Sequence, residues 1–218
     1  MTNKLHNISR RRRSNQGLTL VEMTVILSVI VILTTVLVPT VMSHIAQARV
    51  IRAKQDVRII GDAIARFYDD TGFIPKTFDS TNGRTGTRAF DLLITPGDPP
   101  ALPANGSTSA VQPWVNGDSD YLHNHVVYNT PGYTLKTGER SGWNGPYISA
   151  PEADPWSKRY MINIVFLKPG GGAVDENGKT KRAVFVLSAG PDGIVQTPFD
   201  QLITNARVEG DDIAYRLQ

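Results

Sequence analysis

Hydrophobic residues fall along this chain in three successive patterns, and each predicts a different element. Leu18 to Val38 (LTLVEMTVILSVIVILTTVLV) is almost unbroken apolar sequence, 21 residues with Glu22 as the sole charge. Coiled as a helix at about 1.5 Å per residue, it covers roughly 30 Å, the hydrocarbon thickness of a bilayer. From His44 to Asp70 the pattern turns amphipathic. Val50, Ala53, Val57, Ile60, Ile64 and Phe67 recur at spacings of three and four, one stripe of a helix. Arg49, Arg52, Asp56, Asp62, Arg66 and Asp69 lie mostly off that stripe, and Gly72 and Pro75 supply the stop. The spacing therefore predicts one long helix from Leu18 to about Asp70, loosened at Pro39. Its apolar part needs lipid or neighbouring subunits, and its amphipathic part needs a globular head.

The third pattern is that of short strands. Tyr160–Leu167 (YMINIVFL) and Ala183–Leu187 (AVFVL) are rich in β-branched and aromatic residues and are separated by a turn containing Gly, Asn and Lys. They predict antiparallel strands, with a third at Asp212–Leu217. Between them and the helix, Phe73 to Gly142 is rich in Gly, Pro, Ser, Thr and Asn and reads mostly as surface loop. Asp98-Pro99-Pro100-Ala101-Leu102-Pro103 is incompatible with a helix interior, whereas Arg88–Leu93 has short helical character. His123-Asn124-His125 would place two imidazoles on one face of a strand. No nearby acid or cysteine completes a metal site there, so packing on a strand surface explains the pair more cheaply. The fold class expected is α+β, a long N-terminal helix packed on a small antiparallel sheet.

Composition narrows the function. The 218 residues contain no cysteine, which excludes disulfides, thiolate metal sites, a cysteine nucleophile and lipid attachment through cysteine. The net charge of +3 is carried by the first 17 residues, where Lys4 and Arg10 to Arg13 face no acid; without them 18 basic side chains stand against 20 acidic ones. A nucleic-acid-binding body is not supported, and no nucleic-acid partner is expected. No Lys or Arg occurs between Arg13 and Arg49, so the basic cluster places the tail in the cytoplasm and the remainder across the membrane. A secretory signal peptide also has a basic start and an apolar middle, but the run ends at Thr35-Val36-Leu37-Val38-Pro39-Thr40 without an A-x-A-like cut site.

Glu22 lies five residues into the apolar run. A carboxylate inside a membrane helix costs about 2.5–3.5 kcal/mol on insertion scales, so it calls for a partner. The segment itself contains no cation. Cutting the chain after Gly17 would create one, the amino group of Leu18.

Gly17-Leu18-Thr19-Leu20-Val21-Glu22, behind a basic leader and ahead of the apolar run, resembles the processing site of type IV prepilins and type II secretion pseudopilins. The resemblance implies cleavage between Gly17 and Leu18 by prepilin peptidase, N-methylation of the new terminus, and a type IV pilin-like fold. Leu18 departs from the phenylalanine commonest there. Two further stretches look like the major pseudopilin of type II secretion: Phe67 to Pro75 at the helix exit, and Gly145-Pro146-Tyr147-Ile148 with Asp154-Pro155-Trp156. Residues 97–142 then read as an insertion. The implied organisation is a leader at 1–17, a transmembrane and filament-core helix at 18–42, an amphipathic helix of the head at 43–75, a loop-rich variable region at 76–142, and an antiparallel sheet with C-terminal loop at 143–218.

Ser188-Ala189-Gly190-Pro191-Asp192-Gly193 is the chemically interesting turn. Its carboxylate and exposed carbonyls suit a hard cation, and Asp200, Asp211 and Asp212 lie close by in sequence. An ordinary Pro-Asp-Gly turn accounts for it equally. Major pseudopilins bind calcium through a Ser-x-Gly-x-Asp-Gly turn, and Ser188, Gly190, Asp192 and Gly193 match it. The resemblance thus implies calcium held by Asp192, with the Ala189 carbonyl and Ser188 as companions and Asp200, Asp211 and Asp212 as looser matches.

The function implied is structural, not enzymatic. It is a subunit that polymerises with itself into the periplasmic pseudopilus of a type II secretion system. Prepilin peptidase, minor pseudopilins, an inner-membrane assembly platform and a secretion ATPase would be its partners, and membrane lipid would surround it before assembly. A type IV or competence pilus subunit shares the same N-terminus, but DNA uptake would want a basic face. A membrane-anchored periplasmic enzyme is disfavoured, because the chain has neither G-x-S-x-G nor H-E-x-x-H and only four histidines. The location implied is the bacterial inner membrane, single-pass, with the head periplasmic.

Overall fold

The computed structural model describes residues 17–75, 77–78, 88–104, 108–138, 141–167, 174 and 178–218. The basic leader up to Gln16 and most of the turn at 168–177 lie outside them. The chain divides into two compact units, Met1–Ile45 and Ala46–Gln218.

Helix α1 runs from Leu20 to Thr71, 52 residues, and passes through Pro39. It starts two residues later than the apolar run predicts, because Thr19 caps it, and Gly72 closes it by donating its N–H to the Tyr68 carbonyl at 2.8 Å. Among the described residues it is the one helix long and apolar enough to cross a membrane. From Leu20 to Arg49 every side chain is exposed. Thr24, Ser28, Thr34, Thr35, Thr40 and Ser43 each donate a hydroxyl to a carbonyl three or four residues earlier, at 2.7–3.1 Å. These hydroxyls thus satisfy their donors within the helix, as a hydrocarbon environment requires.

In the second unit, α1 buries Ala53, Val57, Ile60, Ile64 and Phe67 of the predicted stripe together with Gly61, Ala63 and Thr71, while Val50 is half-buried. A five-stranded sheet lies against it, in the order β4-β3-β5-β6-β7. Its strands are β3 (Leu92–Ile94), β4 (Ser119–Tyr121), β5 (Met161–Ile162), β6 (Phe185–Ser188) and β7 (Ile213–Arg216). A separate pair, β1 (Thr77–Phe78) with β2 (Arg88–Ala89), is antiparallel. At Gly61, α1 passes close to Tyr215 of β7. A Cβ there would strike the Tyr215 ring, so only glycine allows the helix this near.

Both faces of the central strands β3, β5 and β6 are buried, whereas the edge strands β4 and β7 are partly exposed. Leu93, Ile162, Val184, Val186 and Ile213 pack with the α1 stripe, whereas Leu92, Ile94, Met161, Phe185 and Leu187 pack with Val111, Trp114, Val195 and Phe199 on the other side. The second layer comes from α2 (Thr108–Val111), α3 (Pro113–Asn116) and the C-terminal loop. A strand covered on both faces shows no alternation of polar and apolar positions, which is why β3, β5 and β6 read as continuous apolar runs.

Five expectations are corrected. The sheet is mixed and not wholly antiparallel: β3 pairs parallel with β4, antiparallel with β5, and β5–β6–β7 continue antiparallel. A parallel neighbour needs a crossover, and α2 and α3 supply it within residues 76–142, which are therefore not simply loop. Arg88–Leu93 is not helical but ends β2 and opens β3, because Leu92 and Leu93 are needed on opposite faces of the sheet. Tyr160–Leu167 is not one strand: after β5, Asn163 turns the chain into a 3-10 turn at Ile164–Phe166. His123 and His125 lie on α4 (Leu122–Val126), not on a strand.

Candidate functional site

At the N-terminal end, Gly17, Leu18 and Thr19 precede the helix and are exposed, Leu18 at 64%. The Gly17–Leu18 bond is thus in non-helical, accessible backbone. Glu22 has a local partner that the sequence reading missed. Its Oε2 accepts both the Thr19 backbone N–H and the Thr19 hydroxyl, each at 2.8 Å, while the Glu22 N–H donates to Thr19 Oγ1 at 3.2 Å. This is a capping box, and Thr-x-x-Glu ahead of an apolar run is the pattern that announces one.

At the other end, the turn at Ser188–Gly193 leads out of β6. Gly190 has φ +66°, and a Cβ on it would strike the Asp211 carbonyl, so the turn and the segment before β7 touch at a position open only to glycine. Asp192 donates its N–H to Asp211 Oδ2 at 3.0 Å and accepts from Ile194 N at 2.7 Å and Gln196 Nε2 at 2.9 Å. Asp212 Oδ2 accepts the N–H groups of Gln196 at 2.9 Å and Thr197 at 2.6 Å. Asp192, Asp211 and Asp212 are thus brought together, with Gln196 as the link, a residue that nothing in the sequence singled out. Ser188 and Asp200 are engaged elsewhere. Ser188 donates its hydroxyl to the buried Asp154 at 2.6 Å, and Asp200 pairs with Arg182 at 3.0 Å. Ala189 is fully buried beside them.

Two carboxylate oxygens in this cluster, Asp211 Oδ1 and Asp212 Oδ1, are buried without a hydrogen-bond partner. Burial pushes the Asp212 carboxyl up to about 6, with the Asp211 charge adding to it against the Thr197 and Gln196 hydrogen bonds. Orphaned acceptors beside a second carboxylate suit a hard cation. Among the described residues, however, no three acidic or histidine side chains converge closely enough to hold a metal ion by themselves. Backbone carbonyls or water would have to complete the coordination. Asp211 and Asp212 offer free oxygens for that role, the Asp192 oxygens accept from Ile194 and Gln196, and Ser188 and Asp200 are bonded to Asp154 and Arg182.

His125 has a partner for each ring nitrogen, and one of them, Asp120, is a nearby acid that the sequence pattern did not single out. His125 is fully buried, its ring nitrogens 2.7 Å from the Tyr133 hydroxyl and 3.0 Å from Asp120 Oδ2. His123 stacks on Tyr121, ring centres 5.0 Å apart.

No protein-family model, no curated protein and no solved structure matches this chain. The fold and the sites define an α+β head carried on a long N-terminal helix whose first stretch is long and apolar enough to be a membrane anchor or a signal.

Proposed function

We propose that this chain is a structural subunit of the type IV pilin-like class, most similar to the major pseudopilin of type II secretion. It is cut after Gly17, anchored by its apolar helix, and polymerised into a periplasmic filament. The observation that carries this reading is the co-occurrence of basic leader, Gly17, Glu22 and an apolar run of membrane length. The uncovered side chains from Leu20 to Arg49 support it, since such a surface requires lipid or other subunits around it. On assembly, burial among neighbouring helices replaces lipid contact, and Glu22 exchanges its capping role for the Leu18 amine of another copy, offsetting two charges that are costly alone. The resemblance assigns calcium to the C-terminal loop through Asp192; Asp211 and Asp212, which keep carboxylate oxygens without a partner beside it, are the residues that would complete such a site. The chemistry that an ion would supply there is positive charge to offset the neighbouring carboxylates.

The capping box makes the test sharper. Glu22→Gln keeps an acceptor for Thr19 and removes the charge; Glu22→Ala removes both. In a strain lacking other pilins, both variants should be processed and inserted yet yield few filaments, because the charge is what assembly uses. Normal filament yield from Glu22→Gln would reduce Glu22 to a helix cap.

A further inference from the structure

We infer that the chain at Ala101 and at Ala110–Asn116 is a built-in strap that keeps the C-terminal loop closed without any cation. Contacts at three places, Ala101, Ala110 and Trp114, tie the two together. Ala101 donates its N–H to the Gly193 carbonyl at 2.8 Å and accepts from Val195 N at 3.0 Å, a parallel bridge on the far side of the Pro-Asp-Gly turn. Phe199 donates its N–H to the Ala110 carbonyl at 2.8 Å. Trp114 is fully buried, donates its indole N–H to the Thr197 carbonyl at 2.8 Å, and sets its ring edge-on to Phe199 with centres 5.0 Å apart.

Arg159 secures the strap in turn by donating to the Val115 carbonyl at 3.0 Å. The strap therefore grips the loop at 193–199, the stretch that carries Gln196 and the two backbone donors on Asp212. A loop held in this way pays little further ordering entropy when an ion arrives, so the carboxylates at 211 and 212 are positioned beforehand. The inference does not depend on the filament reading.

Amide hydrogen exchange of the full chain in detergent tests it, in chelator and in millimolar calcium chloride. In chelator, the amides of Val195, Thr197 and Phe199 should be protected on the order of a hundredfold over an open loop. Trp114→Ala should speed their exchange by about tenfold or more, while the amides of Ile60–Phe67 keep their protection. Should Trp114→Ala unfold the head, Trp114→Phe is read instead. It keeps a ring on Phe199 and loses the indole donor, and it should accelerate the same amides by a few fold. A wild-type loop protected only after calcium is added would overturn the inference. So would a Trp114→Ala variant, or failing that a Trp114→Phe variant, whose loop is as protected as wild type in chelator.

Discussion

Replacing Asn163 should unfold more of the head than its size suggests. The side chain is fully buried. Its Nδ2 donates to the Ala183 carbonyl at 3.0 Å and the Phe199 carbonyl at 2.9 Å, and its Oδ1 accepts the Phe185 N–H at 2.7 Å. One amide thus joins the end of β5, the approach to β6 and the C-terminal loop. Truncation to alanine strips one buried N–H and two buried carbonyls of this partner, at about 1–3 kcal/mol for each group left unsatisfied. Carbonyls tolerate the loss better than an N–H, so a total of about 3–5 kcal/mol is expected. That is a large share of the roughly 5–15 kcal/mol that holds a domain of this size together. Asn163→Leu sharpens the argument. Water can enter the space that alanine leaves and rescue some of the bonds, whereas leucine fills the space and bonds nothing. Leucine should therefore cost at least as much as alanine despite being the larger hydrophobe. The assay is urea denaturation of the fragment Ala46–Gln218, comparing midpoints at unchanged slope. A cost below about 1 kcal/mol for Asn163→Leu would refute the reasoning, since that is less than one buried group left unpaired.

Gly190→Ala should destabilise the same fragment by about 1–3 kcal/mol, because it combines a left-handed backbone with a clash on the Asp211 carbonyl; a neutral result in urea denaturation would contradict the turn geometry. Asp212 gives the pH dependence. Its carboxyl is raised from 3.8 to about 6, so the folded state holds the proton more tightly than the unfolded one. This contribution is present in full below about pH 4 and is lost as pH rises through about 6, roughly 3 kcal/mol in all. In chelator, the stability difference between wild type and Asp212→Asn should therefore shift in that sense between pH 4 and 7.5, and a flat difference would exclude it. Calcium at a hundredfold excess over its Kd should add about 2.7 kcal/mol at pH 7.5, and Asp212→Asn should abolish the rise in melting temperature.

The α1 stripe was legible because one helix face meets one sheet face over several turns, and periodicity records that directly. The partner layer on the sheet's other face left no such trace. α2 and α3 have four residues each, too short for a period, and Trp114 stands among Gly, Pro and Ser with nothing to mark it as core. Asn163 hid a strand break inside an apolar run because its role depends on Phe185 and Phe199, residues distant in sequence. The capping box is legible in Thr19-x-x-Glu22, but a carboxylate in an apolar segment points equally to a distant cation, and the Thr19 hydrogen bonds decide for the local partner. In the C-terminal loop the sequence offered several aspartates without ranking them. Pairing decides the ranking, because Arg182 draws Asp200 away while Asp211 and Asp212 keep oxygens with no partner.

Intact-mass measurement of the protein extracted from membranes of cells that carry a prepilin peptidase tests the central claim most directly. The expected product is a chain that begins at Leu18 and is heavier by one CH2 than the unmodified sequence from Leu18 to Gln218. A chain that still carries its leader, or one that begins beyond Val38 and so lacks the apolar helix, would contradict it.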